Sequence, residues 1–349
     1  MKELKPLYLA AAAIAMPFTA HAGVTIDTIK QRGELNCGVS TGTSIGKSTL
    51  DDQGNWTGFE ADFCRAVAAA VLGDGTKVNF VPLEFKNAFA SLQSSSVDML
   101  ARSATWTFSR DNDLAFEWAG VYLYDGQGFL VSKDSGIAEA AQLSGASICV
   151  TSGTTTELNL ADYFRANGLE YTPITVSSPD QSTANLEAGR CDAYTNEVGG
   201  LASYRLGLSE PDNYVILPDI ISKEPLGPVV RQDDPQFEDV VEWTLYALII
   251  GEELGITQAN AVEMAETASK PEVKRLLGSE GGFGAMMGVE NDWAVNVISA
   301  VGNYEELFER TLGSKSKANV ERGRNKLWSE GGLLYAPRCA EPCQPWPRR

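Results

Sequence analysis

Histidine is the scarcest chemical resource of this 349-residue chain, with His21 the single example. It falls in an N-terminal stretch built like an export leader. Lys2 and Lys5 form a basic start, Leu7 to Ala15 an apolar core, and Ala20-His21-Ala22 a small-x-small cleavage site, so removal after Ala22 is expected. A chain cut there holds no histidine, which excludes a histidine-based triad, an imidazole zinc site and a histidine pH switch. Long apolar runs are lacking too. The leader core is too short to span a bilayer, and no later stretch reaches the roughly 18 apolar residues of a membrane helix. No cysteine stands at the expected cut, so no lipid anchor is signalled, and an exported, soluble chain in the periplasm is expected. Basic residues are few: 28 Lys and Arg against 46 Asp and Glu give a net charge of −18. Residues 1–22 contribute Lys2, Lys5 and Glu3, a net +1, so the remainder carries −19. Such a surface argues against nucleic acid and anionic lipid, but says little about a small ligand. EF-hand loops, CxxC zinc pairs and heptad runs are missing, and Gly153-Thr154-Thr155 lacks the spacing and lysine of a phosphate loop. No metal or cofactor is expected.

Cysteine is present in an even number, Cys37, Cys64, Cys149, Cys191, Cys339 and Cys343, which in an exported chain favours disulfides. Proximity pairs Cys37 with Cys64 and Cys149 with Cys191, across loops of 27 and 42 residues, each worth roughly 3–4 kcal/mol if the effect is chain entropy. Cys339 and Cys343, in a proline-rich tail, would pair with each other. Six cysteines allow 15 connectivities.

After the leader, short apolar strands alternate with helices. Strands are expected at 35–39, 77–82 and 97–100, with helices at 59–72 and 85–94 between them. The order then recurs, with strands at 147–150, 171–176, 191–194 and 215–217 and helices at 155–167 and 179–189. Two βαβαβ sets imply an α/β protein of two lobes, each a mostly parallel sheet flanked by helices. From Pro235 onward the pattern is helical: 237–254, 260–268, 272–277 and 292–311.

The stretch from Val97 to Arg110 carries the strongest chemical signal. A short apolar run ends in small hydroxyl residues, and Arg110 follows five residues after Thr105. Ser103 and Thr105 would supply hydroxyl donors, Arg110 a bidentate fork, and Thr107 or Ser109 a helix cap, all suited to a carboxylate. A strand end, a capped turn and a solvated arginine is the plainer reading of the same residues.

Several longer strings carry a resemblance. They include Cys37-Gly38-Val39-Ser40-Thr41-Gly42, Gly54-Asn55-Trp56-Thr57-Gly58, the run from Ser152 to Arg165, the run from Ile220 to Pro228, and Gly302-Asn303-Tyr304. In these the chain resembles the periplasmic solute-binding proteins of polar amino-acid ABC transporters, and within them the general L-amino-acid binders. The resemblance implies a type II clamshell. Lobe 1 would hold 23–122 and 226–335, lobe 2 would hold 127–219, and hinge strands would lie at 123–126 and 220–225, ahead of a Pro/Cys tail at 336–349. The implied partners are an L-amino acid in the interlobe cleft and a membrane permease, and the implied assembly state is a monomer.

Carried over by motif position, Arg110 would clamp the ligand α-carboxylate, Ser103 and Thr105 would add contacts, and Thr155 would touch the same group from lobe 2. Arg102 would suit an acidic or amide side chain, or else sit in a surface ion pair. Trp106 would pack or stack on ligand, and Asp192 would hold a turn. Two positions depart from the family pattern. Glu197 stands where an aspartate usually receives the ligand ammonium. Lys47 lies in a loop that often carries an aromatic lid, where it would be solvated or point inward toward an acidic ligand. Dehydratases on this clamshell can use a glutamate at the ammonium position as a general acid, so a cyclohexadienyl or arogenate dehydratase with catalytic Glu197 is the alternative.

Overall fold

A computed structural model describes residues 23–340. The expected leader, its cleavage site and Cys343 lie outside the described residues. Two mixed sheets form the centres of two lobes. In the first, the strand order is Val78–Pro82, Leu35–Val39, Met99–Thr105, Glu224–Arg231 and Phe116–Trp118, and Leu123–Asp125 also pairs with Glu224–Arg231. In the second it is Thr172–Val176, Ser147–Thr151, Ala193–Glu197, Gln127–Ser132 and Tyr214–Ile216. The first three strands of each order run parallel, and the strands entering from the crossings join them antiparallel. That reversal follows from the path of the chain, because a segment arriving from the other lobe meets the sheet from the opposite end.

The central strands of both sheets are largely buried on two faces, whereas the edge strands Val78–Pro82 and Thr172–Val176 are partly exposed. The larger core packs Phe59, Phe63, Ala66 and Val67 of helix Phe59–Leu72 against Val240, Leu248, Val297, Ile298 and Phe308 of the C-terminal helices. The second lobe has two smaller cores, around Phe129, Leu160 and Phe164 and around Leu130, Tyr194 and Leu201. Cys37–Cys64 and Cys149–Cys191 are disulfide-bonded, one within each lobe, as their proximity predicts. Cys339 is buried, and burial pushes its thiol up to about 11.

Four expectations need correction. The strand expected at 191–194 runs Ala193–Glu197, because Cys191 and Asp192 hold the turn before it. The strand expected at 97–100 runs Met99–Thr105, because the apolar run continues into small residues that the sheet still pairs. The helix expected over 292–311 is two helices, Trp293–Val301 and Tyr304–Thr311. Gly302 stops the first at φ 80°, and Asn303 starts the second with a reciprocal cap involving Glu306. The loop expected around Lys47 belongs to a small sheet of Thr43–Ser44, Ser48–Leu50 and Trp56–Thr57. Among the described residues no helix is long and apolar enough to cross a membrane.

The chain crosses between the sheets at Gly126 and again after Asp219. C-terminal residues grip the first crossing: Tyr304 Oη donates to the Tyr122 carbonyl at 2.6 Å, and Asn325 bonds both the N–H and the C=O of Tyr124.

Candidate functional site

The ends of the parallel strands from both lobes meet over one cavity, where open α/β sheets place ligands. Lobe 1 lines it with Ser40, Lys47, Phe85, Arg102, Ser103 and Thr105, and lobe 2 with Thr151, Thr155, Ser178, Asn196, Glu197 and Tyr204. The lobes touch across it. Thr105 Oγ1 lies 3.2 Å from Thr155 Oγ1, and Asn159 Nδ2 of lobe 2 donates at 2.7 Å to Glu224 at the start of the strand Glu224–Arg231 of the lobe 1 sheet. The cleft is therefore closed.

Arg102 is only 8% exposed, and its Nε and Nη1 are buried with no hydrogen-bond partner among the described residues. Its guanidinium stacks 4.8 Å from the centroid of Phe85. Burial holds its pKa below the usual arginine value, partly offset by Glu60. This is no surface ion pair. A buried guanidinium with two idle donors beside a cavity costs free energy until an acceptor arrives, which makes it a specific anion-seeking group.

Arg110 sits further out. Of the two expected caps it is Thr107 that starts the helix Phe108–Asp113, accepting from the Arg110 N–H at 3.4 Å. The Arg110 guanidinium donates to the Thr105 carbonyl at 2.9 Å and lies 4.9 Å from the Phe85 ring centroid. Burial lowers its pKa to about 10, opposed by Glu224 and Glu197. It flanks the cavity rather than lining it. Both arginines meet at Phe85, which no motif in the sequence marks. Its signal was position: an aromatic at the start of the helix following a parallel strand.

The hydroxyls of Ser103 and Thr105 do not serve as free donors. Ser103 Oγ donates to Glu60 Oε1 at 2.6 Å, and Thr105 Oγ1 to Glu224 Oε2 at 2.7 Å. Each hydroxyl has one proton. With it committed to a buried carboxylate, what remains toward the cavity is lone pairs. The expected donation to a ligand carboxylate is thus corrected: these oxygens are placed to accept. Ser103 has a φ of 52°, an uncommon conformation for a residue with a side chain, at the point where its Oγ meets both Glu60 and Lys47.

Lys47 is 2% exposed, so the solvated reading falls. Its Nζ donates to Ser103 Oγ at 3.1 Å and lies 3.9 Å from Asp125 at the first crossing. Asp125 in turn accepts from the Gly199 N–H at 3.0 Å, an approach that a Cβ at Gly199 would block by coming 2.7 Å from Asp125 Oδ2. Lys47 thus joins lobe 1 to the crossing.

Glu197 ends the strand Ala193–Glu197, and its side chain lies at the cavity with 9% exposure. Burial pushes its carboxyl up to about 7, against the pull of Lys47 and with the help of Glu224 and Asp125. Among the described residues, no other residue donates a hydrogen bond to it. Thr155 is the first residue of the helix Thr155–Ala166, whose leading N–H groups and dipole face the cavity edge. Trp106 is 39% exposed and stacks on Trp118 outside the cavity, so its role is packing. Asp192 accepts two bonds from Ser147, from its N–H and its hydroxyl, and holds a turn.

Comparison with known proteins places this geometry. Residues 37–258 match the family described as bacterial extracellular solute-binding proteins, family 3. The general L-amino acid-binding periplasmic protein AapJ of Rhizobium johnstonii is 51% identical over 331 residues, 94% of this chain and 96% of that protein. The glutamate/glutamine/aspartate/asparagine-binding protein BztA of Rhodobacter capsulatus is 48% identical, over 91% of this chain and 94% of its own length. A solved structure of a periplasmic binding protein of an ABC transporter from Brucella ovis, with glutathione bound, superposes with a TM-score of 0.89 at 50% identity, covering 92% of this chain and all of that one.

Proposed function

This chain belongs to the bacterial extracellular solute-binding proteins of family 3, and we propose that it captures a polar or acidic L-amino acid in the periplasm and hands it to the permease of an ABC transporter. The observation carrying this reading is a pair of charges in the closed cleft that the described residues leave open: Arg102 on lobe 1, whose Nε and Nη1 have no acceptor, and Glu197 on lobe 2, to which no other residue donates. An amino-acid zwitterion answers both. Its carboxylate would take the Arg102 donors, with Arg110 beside it. Its ammonium would take Glu197 and the lone pairs of Ser103 and Thr105. Thr155 would add helix N–H groups, and Lys47 would favour an acidic ligand side chain. Charge-assisted bonds of this kind contribute about 1.5–3 kcal/mol each.

The ligand then bridges the lobes, and closure around it creates the form a membrane partner can read. The Brucella relative, with its bound glutathione, widens the ligand range to γ-glutamyl compounds, which carry the same free α-amino and α-carboxyl groups. The dehydratase alternative, with Glu197 as acid, loses ground because relatives at about half identity over nine-tenths of the chain are named for solute binding. We further propose that the protein acts as a monomer.

The test is calorimetric titration of refolded, ligand-stripped protein with the twenty L-amino acids and glutathione. Binding at micromolar or tighter affinity that prefers acidic amino acids or their amides supports the reading. Silence toward all of them, with turnover of prephenate or arogenate, replaces it with the enzyme.

A further inference from the structure

Glu224 lies on the return crossing and is 1% exposed, yet no cation pairs with it among the described residues. Its carboxylate is held by four neutral donors. Thr105 Oγ1 reaches it from lobe 1 at 2.7 Å; from lobe 2 come Asn159 Nδ2 at 2.7 Å and Thr155 Oγ1 at 3.2 Å; Ser222 Oγ donates from the crossing itself at 2.6 Å. Glu224 does not line the cavity. We propose that Glu224 is a closure-determining residue: a carboxylate on the hinge that fastens lobe 1 to lobe 2 from behind the ligand and thereby sets affinity. This rests on the reading that the chain captures its ligand between the lobes.

A buried carboxylate is costly unless its lone pairs are occupied. In the closed form they are, by donors drawn from both lobes, with the N-terminal end of helix Thr155–Ala166 adding a favourable dipole. When the lobes part, Thr105 travels with one and Asn159 and Thr155 with the other. A carboxylate fixed to the crossing cannot keep both sets. Closure therefore gains the interlobe bonds, and a ligand that needs the closed form binds more tightly in proportion to how often that form is populated. Glu224 also fixes the Thr105 and Thr155 hydroxyl protons, so that their lone pairs face the cavity.

Three substitutions separate a fastening from plain local structure. Glu224→Gln keeps the shape and sets an amide among donors. Asn159→Ala cuts only a lobe 2 bond, and its side chain does not line the cavity. Ser222→Ala removes only the bond within the crossing. Radius of gyration in solution, on ligand-stripped protein, and stopped-flow dissociation of L-glutamate are measured for each. With two interlobe hydrogen bonds weakened, Glu224→Gln is expected to speed dissociation about tenfold and expand the ligand-free form, Asn159→Ala to do both about half as strongly on a logarithmic scale, and Ser222→Ala to do neither. An unchanged radius and dissociation rate in Glu224→Gln and Asn159→Ala overturns the proposal. So does an effect of Ser222→Ala equal to that of Asn159→Ala. If the unaltered protein binds no L-glutamate, the ligand reading is what fails, while the ligand-free radii still decide the role of Glu224.

Discussion

The two walls of the cleft differ in charge although the two lobes share a strand order. Lobe 1 presents Arg102, Arg110 and Lys47, and lobe 2 presents Glu197 among hydroxyls and an amide. In each lobe three parallel strands bring their ends to the cavity and an antiparallel strand leads to the crossing. The fold therefore supplies two equivalent edges, and the sequence makes them complementary. The difference teaches why closure should depend on the ligand. The walls attract each other across the cavity, since Lys47 pulls on Glu197 and Glu197 favours the charged forms of Arg102 and Arg110, but among the described residues no hydrogen bond joins them: Arg102 Nε and Nη1 lack an acceptor and Glu197 lacks a donor from another residue. A molecule with an anionic and a cationic end completes both at once. Internal carboxylates are handled otherwise. Glu60 takes the hydroxyls of Ser48 and Ser103, and Glu224 takes four donors, so neither competes for the ligand.

Breaking the positive wall should have the largest effect. Arg102→Met removes the buried guanidinium while keeping its bulk over Phe85. Ligand affinity, read by calorimetry, is expected to fall by about 2–4 kcal/mol, while the thermal midpoint of the ligand-free protein holds or rises because an unanswered buried charge is gone. Arg110→Met should cost less, since that side chain already donates to the Thr105 carbonyl and flanks the cavity.

Titrating the negative wall comes next. With its carboxyl raised to about 7 by burial, Glu197 is protonated below that pH and cannot pair with an ammonium. Affinity should be level above pH 7 and fall toward tenfold per unit below it, and Glu197→Gln should flatten the profile at a lower affinity. Stability runs the other way. The folded state holds a proton that the unfolded chain releases between the ordinary glutamate value of 4.5 and about 7, so the ligand-free protein loses stability as pH rises through that window. Glu197→Gln should therefore raise the melting temperature at pH 8, by the equivalent of roughly 1–3 kcal/mol.

Lys47 sharpens the comparison most gently. Lys47→Met leaves Asp125 with its two backbone donors, from Gly126 and Gly199, and so keeps the fold. It should shift the preference between glutamate and glutamine by about tenfold toward the amide, measured as a ratio of dissociation constants, in line with the weight of one charge-assisted contact.

Much of this arrangement is legible in the sequence. The strands through Cys37 and Cys149 and the helix from Phe59 to Leu72 follow from apolar patterning. The two disulfides follow from cysteine proximity within those elements. Arg102 follows from motif position and Lys47 and Glu197 stand out as departures from the family pattern, and all three line the cavity. The illegible part is what depends on long-range pairing. The Ser103 hydroxyl spends its proton on Glu60, 43 residues earlier, and the Thr105 hydroxyl on Glu224, 119 residues later. Local sequence names the hydroxyls but not their acceptors, so donors were expected where acceptors are placed. The turn that buries Lys47 escaped for a similar reason. The carbonyl of Lys47 lies 2.4 Å from where a Cβ of Gly58 would stand, a close approach visible only once both segments are folded.

The central claim is that the ligand bridges Arg102 and Glu197 as a zwitterion. Its most direct test is a cycle of four calorimetric titrations: unaltered protein and Glu197→Gln, each with L-glutamate and with the deaminated analogue glutarate. The account predicts that glutarate loses at least a hundredfold in affinity on the unaltered protein and far less on Glu197→Gln, a coupling of about 2 kcal/mol or more between the ammonium and that carboxylate. Equal losses on both proteins would place the ammonium elsewhere and contradict the account.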